Sequence, residues 1–107
     1  GVQTCALPIS LARITEVGTL ENVYRLQIMN ATEQPQHYHV QVQGLDSIQI
    51  KTDTPVQVGP AQSRWVVVRV DIPYGSATAG SHPIWFEISA EAERIRVTEK
   101  SVFLVPR

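Results

Sequence analysis

The chain has 107 residues, with nine Lys and Arg set against ten Asp and Glu for a formal charge of −1. That length suits one domain and is too short for two, and the balanced charge leaves no basic footprint for nucleic acid. Apolar residues make up 43% and charged residues 18%, a composition that folds instead of staying disordered, while no apolar run approaches the roughly 18 residues of a membrane helix.

The first nine residues, GVQTCALPI, are the translation of a nucleotide string that resembles a common sequencing-library adapter. The expectation is that residues 1–9 are a non-native, adapter-derived segment to be set aside, and that the domain occupies residues 10–107. The segment has neither the positive n-region nor the apolar h-region of a signal peptide. The chain's one cysteine, Cys5, falls inside it and can form no internal disulfide.

Val, Ile and Thr account for 31 residues, and β-branched side chains favour strands over helices. A weak strand is expected from about Leu11 to Val17, stopping at Gly18. The run ENVYRLQIMN then places Tyr24, Leu26 and Ile28 on one face, with Val23, Arg25 and Gln27 on the other. After a turn through Glu33, Gln34 and Pro35, QHYHVQVQG points Tyr38, Val40 and Val42 inward and His37, His39, Gln41 and Gln43 outward.

Gly44 ends that strand, Ile48 and Ile50 begin another, and Thr54-Pro55 leads into a short segment at Val56 and Val58. WVVVRVDI sets Val66, Val68, Val70 and Ile72 against Trp65, Val67, Arg69 and Asp71. An exposed copy of this stretch would aggregate, so Arg64, Arg69 and Asp71 are expected to act as solvent-facing gatekeepers. A loop from Pro73 to Pro83 precedes a strand from Ile84 to Ala90. A turn near Glu91 to Glu93 then leads to a last strand from about Ile95 to Leu104. Helical periodicity is lacking. The predicted fold is an all-β, immunoglobulin-like β-sandwich of about seven antiparallel strands. Leu26 and Val68 are core positions.

The sharpest chemical constellation is His37-Tyr38-His39. Two histidines at i and i+2 on a strand share a face and can chelate Cu(II) or Zn(II), with His82 as a third ligand if its loop folds nearby. Gln41 and Gln43 continue the same face, so a solvated polar surface explains the pair as well. GSATAG at 75–80 lacks the Lys and helix of a phosphate loop, and no nucleophile elbow or Ser–His–acid order is present. Asn30-Ala31-Thr32 matches a glycosylation sequon, although Asn30 also suits a strand end that bonds its own backbone. Trp65 and Trp85 form a partner patch if both face outward, or else cap or fill the sandwich.

Glu21, Asn22, Tyr24, Leu26, Ile28 and Asn30, followed by Tyr38, Val40, Val42, Gly44 and Leu45, resemble the C-terminal domain of the FixG/CcoG cytochrome c oxidase accessory proteins. The ending, with Phe103, Pro106 and Arg107, looks like the family's C-terminus, and the resemblance runs from about Leu11 to Arg107. It implies an immunoglobulin-like domain on the periplasmic face of the bacterial inner membrane. The parent protein would carry several transmembrane helices and a ferredoxin-like part with two 4Fe–4S clusters. Its implied role is assembly of the cbb-type haem–copper oxidase, with reduction of Cu(II) to Cu(I).

The cluster-binding cysteine runs and the transmembrane helices are absent from this chain. The resemblance therefore transfers fold-bearing positions (Asn22, Tyr24, Gly44, Phe103), no catalytic residue and no cofactor. The expected function is a non-catalytic interaction domain whose partners are oxidase subunits, copper carriers or a second copy. It would meet no nucleic acid, and the membrane only through the parent's transmembrane part. The alternatives are a copper-handling surface at His37 and His39, or a generic adhesion or receptor sandwich.

Overall fold

A segment with an apolar side chain at every second position can bury one face and bond its backbone only as a strand within a sheet. In a computed structural model of the chain, Thr19–Asn30 does this. Residues 2–9, 12–51, 55–92 and 94–107 are described. The strand start at Leu11, the domain start at residue 10, Thr54 of the Thr54-Pro55 turn, and Glu93 lie outside them.

The described elements are β1 (Val2–Pro8), β2 (Arg13–Ile14), β3 (Thr19–Asn30), β4 (Gln36–Gln43), β5 (Gln49–Ile50), β6 (Val56–Val58), β7 (Ser63–Pro73), β8 (Gly80–Ala90) and β9 (Arg96–Val105). All pairings are antiparallel. One sheet has the order β1-β3-β7-β5 with β2 also on β3, and the other has the order β6-β4-β8-β9. The sandwich is all-β, as the alternation requires, but the described residues form nine strands where about seven were expected.

One of the additional strands is β1, within the segment set aside on sequence grounds. Val2 to Pro8 pair with Asn30 to Tyr24 along the edge of β3. Strand pairing uses main-chain groups that every non-proline residue carries, so it is indifferent to the origin of the segment. The loop expected from Pro73 to Pro83 is also shorter, because β8 begins at Gly80. Pro83 is tolerated there because β4 pairs with β8 only from Trp85 onward, so no neighbour on that side needs a Pro83 N–H.

The core lies between the sheets. Leu20, Tyr24, Leu26 and Ile28 of β3 and Val68, Val70 and Ile72 of β7 face Tyr38, Val40, Val58, Ile84, Phe86, Ile88 and Phe103, all buried. Tyr24 meets Phe86 edge to face at a centroid distance of 5.1 Å.

Three polar side chains of β3 then fasten one sheet to the other. Asn22 Nδ2 donates to the Leu104 carbonyl at 3.1 Å, and its Oδ1 accepts from the Leu104 N–H at 2.9 Å. The Tyr24 hydroxyl donates to the Val102 carbonyl at 2.7 Å. These bonds occupy backbone groups on the outer edge of β9 that would otherwise invite another strand. Burial without a charge partner pushes the Tyr24 phenol well above its ordinary range.

Asn30 is the third clamp. Its Nδ2 donates to the carbonyls of Gln34, Val58 and Gly59, and its Oδ1 accepts from the Thr32 N–H and hydroxyl. Its amide is thus buried and engaged, which is incompatible with an attached glycan.

At Gly44 the chain crosses the backbone of β8 with φ +132°. A Cβ there would lie 2.7 Å from the Pro83 carbonyl oxygen and 2.9 Å from the Ile84 Cα, so only glycine fits.

Candidate interaction face

Because Val68, Val70 and Ile72 enter the core, period-2 geometry drives Trp65, Val67, Arg69 and Asp71 to the outer face of the first sheet. The register sets Gln27 opposite Trp65, Arg25 opposite Val67 and Met29 opposite Ser63. Trp65 is 41% exposed, Val67 51% and Met29 41%. The Arg25 guanidinium lies 4.3 Å from the Trp65 ring centroid, which holds the indole in place while one side stays open to solvent. Leu7 of β1, opposite Arg25, extends the apolar surface.

Among the described residues, the charges around Trp65 share one sign. A shallow groove beside Trp65 and Val67 is lined by Lys51, Arg64 and Arg69, and Arg64 Nη1 donates to the Gln57 carbonyl at 3.0 Å. No acidic residue occurs in β1, in residues 23–29 of β3 or in residues 63–69 of β7. An exposed aromatic flanked by arginines is the composition enriched at the centre of protein–protein interfaces.

The outer face of the second sheet differs. His37, His39, Gln41 and Gln43 alternate along β4 as the sequence indicates, beside Trp85, Glu87 and Ser89 of β8. Here Arg96 Nε lies 3.3 Å from Glu87 Oε1, an ion pair, and His39 Nε2 lies 3.6 Å from Glu91 Oε2. The two tryptophans therefore face outward from opposite sheets and form no common patch.

His37 and His39 do share a face, but His82 does not join them. His39 sits opposite Ser89, and at about 3.3 Å per residue His82 is roughly 20 Å away along β8, where its Nε2 contacts the Thr78 carbonyl at 2.6 Å. Among the described residues no three His, Cys, Asp or Glu side chains converge on a metal position. Nor is there a helix long and apolar enough to cross a membrane.

One gatekeeper expectation is corrected. Asp71 is 4% exposed, not solvated, and its cross-strand neighbour Glu21 is 6% exposed. β2 and the turn that follows it fold over this end of the sheet, which alternation along β7 alone does not reveal.

A family model described as "IG-like fold at C-terminal of FixG, putative oxidoreductase" matches residues 8–106. Among solved structures, a FixG-related protein from Vibrio parahaemolyticus is similar at a TM-score of 0.84 and 19% identity, covering 96% of this chain and 94% of that one. At that identity the likeness shows the fold. A protein from Archaeoglobus fulgidus aligns at a TM-score of 0.47 and 16% identity over 98% of this chain and 97% of its own. No curated protein sequence matches.

Proposed function

This chain belongs to the family of immunoglobulin-like domains at the C-terminus of FixG, and from that premise we propose that it is the docking domain of its parent protein. In this reading it carries no chemistry of its own. The outer face of the first sheet recognises an acidic, partly apolar surface on an oxidase subunit or copper carrier, on the periplasmic side of the bacterial inner membrane. Copper reduction and its 4Fe–4S clusters belong to other parts of the parent, as does membrane anchoring. The observation that carries the proposal is the exposed Trp65, braced by Arg25 beside a groove that Lys51 and Arg64 line and that no acid lines among the described residues.

The chemistry of that face sets the mode of recognition. Trp65 and Val67 supply area whose burial excludes water, and Arg25, Lys51, Arg64 and Arg69 supply orientation and long-range attraction. Such an interface weakens as salt rises, because screening shortens the reach of exposed charges to about 8–10 Å. The test is binding of the purified chain to detergent-solubilised cbb-type oxidase in rising NaCl. Trp65→Ala and Val67→Asp are expected to abolish binding, whereas His37→Ala with His39→Ala leaves it intact. Loss of binding only in the histidine variant would transfer the function to the second sheet and to copper handling.

A further inference from the structure

The three most exposed large apolar side chains among the described residues gather at one pole of the molecule. Val17 is 81% exposed, Tyr74 65% and Ile14 60%. The register brings them together: Thr19 at the start of β3 lies opposite Pro73 at the end of β7, so the turn before β3 and the loop after β7 share one end of the sandwich. Both tips are held. The Gly18 N–H donates to the Thr15 carbonyl at 3.2 Å, the Tyr74 N–H to the Gly18 carbonyl at 3.2 Å, and the Ser76 N–H to the Pro73 carbonyl at 3.1 Å. The loops of the opposite pole, residues 31–35, 59–62 and 91–92, expose Glu33, Gln34, Gln62 and Glu91. Among the described residues they carry no exposed large apolar side chain.

Between the two apolar tips the sandwich is open. A cavity of about 300 Å³ reaches the core residues Leu20 and Ile72 and is walled by Ala77, Ala79 and Val105, with Arg107 as its one charged lining residue among those described. That volume is about twice the roughly 150 Å³ that takes up benzene when the walls are apolar. Fixed turns that hold an aromatic and two aliphatic side chains in water cost free energy until something covers them. The shape selects the cover. The molecule measures 46 × 21 × 18 Å along its principal axes, so the pole is a narrow tip whose footprint falls short of the roughly 800 Å² per partner that a standard protein interface buries. A rigid partner meets a convex tip at few points, whereas a fluid bilayer closes round it and brings chains thin enough for the cavity. Tyrosine, with its apolar ring and polar hydroxyl, suits the boundary between hydrocarbon and water.

We propose that this pole rests in the surface of a phospholipid bilayer, with Ile14, Val17 and Tyr74 sunk among the headgroups and one acyl chain entering the cavity. The free charges at the pole are balanced, Arg107 against Glu16, while Arg13 is held by Glu21 at 3.0 Å. The contact therefore depends on apolar burial and not on lipid charge. In this it differs from the Trp65 face, whose cations act over distance. At about 3.3 Å per residue, Trp65 lies roughly 26 Å along β7 from Pro73, so a domain standing on this pole holds the Trp65 face sideways and clear of the membrane surface.

The experiment is co-flotation of the 107-residue chain with phosphatidylcholine vesicles in low and high NaCl. Methyl NMR of the chain accompanies it, in phosphatidylcholine bicelles with and without a lipid spin-labelled in mid-chain. Wild type is expected to co-float equally at both salt concentrations, and the spin label to broaden the methyl signals of Leu20, Ile72 and Val105. Val17→Asp combined with Tyr74→Ser is expected to keep the melting temperature of wild type and to lower vesicle affinity about tenfold or more. Trp65→Ala is expected to leave vesicle binding unchanged. Co-flotation that survives the double variant would overturn the proposal, and cavity methyls that stay sharp on bound chain would refute the acyl-chain site. Binding that needs anionic lipid, vanishes in high salt and is lost in Trp65→Ala would move the contact to the cationic face. A wild-type chain that stays off the vesicles would also overturn it, and if the double variant then loses oxidase binding, the pole is a protein contact instead.

Discussion

The outer surfaces of the two sheets obey one geometric rule and end in opposite states. On the second sheet Arg96 is paired with Glu87, and the His39 ring rests against Glu91. On the first sheet, Trp65, Val67 and Met29 stand exposed near Arg25, Lys51 and Arg64, and among the described residues no acid lines the groove beside Trp65. A surface that satisfies itself has little to gain from a partner. A surface that leaves an indole exposed beside cations gains from an acidic, apolar one. Alternation decides which residues face out, and the company they keep decides what the face can do.

The largest expected effect separates the two sides of a single strand. Val68→Asp buries a carboxylate with no partner, which costs several kcal/mol and is expected to unfold the chain. The same change one residue earlier, Val67→Asp, is expected to leave the fold intact and act only on binding. Circular dichroism melts of the two variants check this, and a cooperative melt for Val68→Asp would reverse the facing of β7. Next in size, Leu26→Ala opens a cavity at a fully enclosed position and is expected to cost about 2–5 kcal/mol in urea unfolding.

Asn22→Ala removes both bonds to Leu104 and is expected to cost about 1–3 kcal/mol, because the β9 edge groups lose their partners. Proteolysis within β9 should rise with it. Tyr24 adds a pH dependence whose sign is fixed. Burial raises its folded-state pKa above the unfolded value near 10, so its contribution is complete below about pH 10 and is lost as pH rises beyond it. Urea midpoints measured above and below pH 10 are expected to fall less in Tyr24→Phe than in the wild type. The smallest change in stability is Trp65→Ala, within about 1 kcal/mol because the ring is nearly half exposed, combined with a loss of at least tenfold in partner affinity.

Much of this architecture was legible in the sequence. The inward sets of β3, β4 and β7 follow from alternation, and the outward pairing of His37 with His39 from their spacing. What escaped depends on contacts between distant residues. Nothing near Asn22 or Tyr24 announces that their polar atoms reach the backbone of Leu104 and Val102 in the other sheet. Asp71 reads as a solvated gatekeeper because the strand pattern carries no trace of β2 folding over it. Val2–Pro8 escaped for another reason: residues 1–9 are set aside on sequence grounds as adapter-derived, whereas main-chain pairing along the edge of β3 is indifferent to that origin. The Trp65 face fell between these cases, since its outward position was readable but the bracing of its indole by Arg25 was not.

The most direct test of the account is differential NMR line broadening of the isotopically labelled chain on addition of sub-stoichiometric cbb-type oxidase. The account predicts broadening concentrated at Arg25, Met29, Trp65, Val67 and Arg69, with His37, His39 and Trp85 spared. Broadening confined to those last three, with the Trp65 face unaffected, would contradict it.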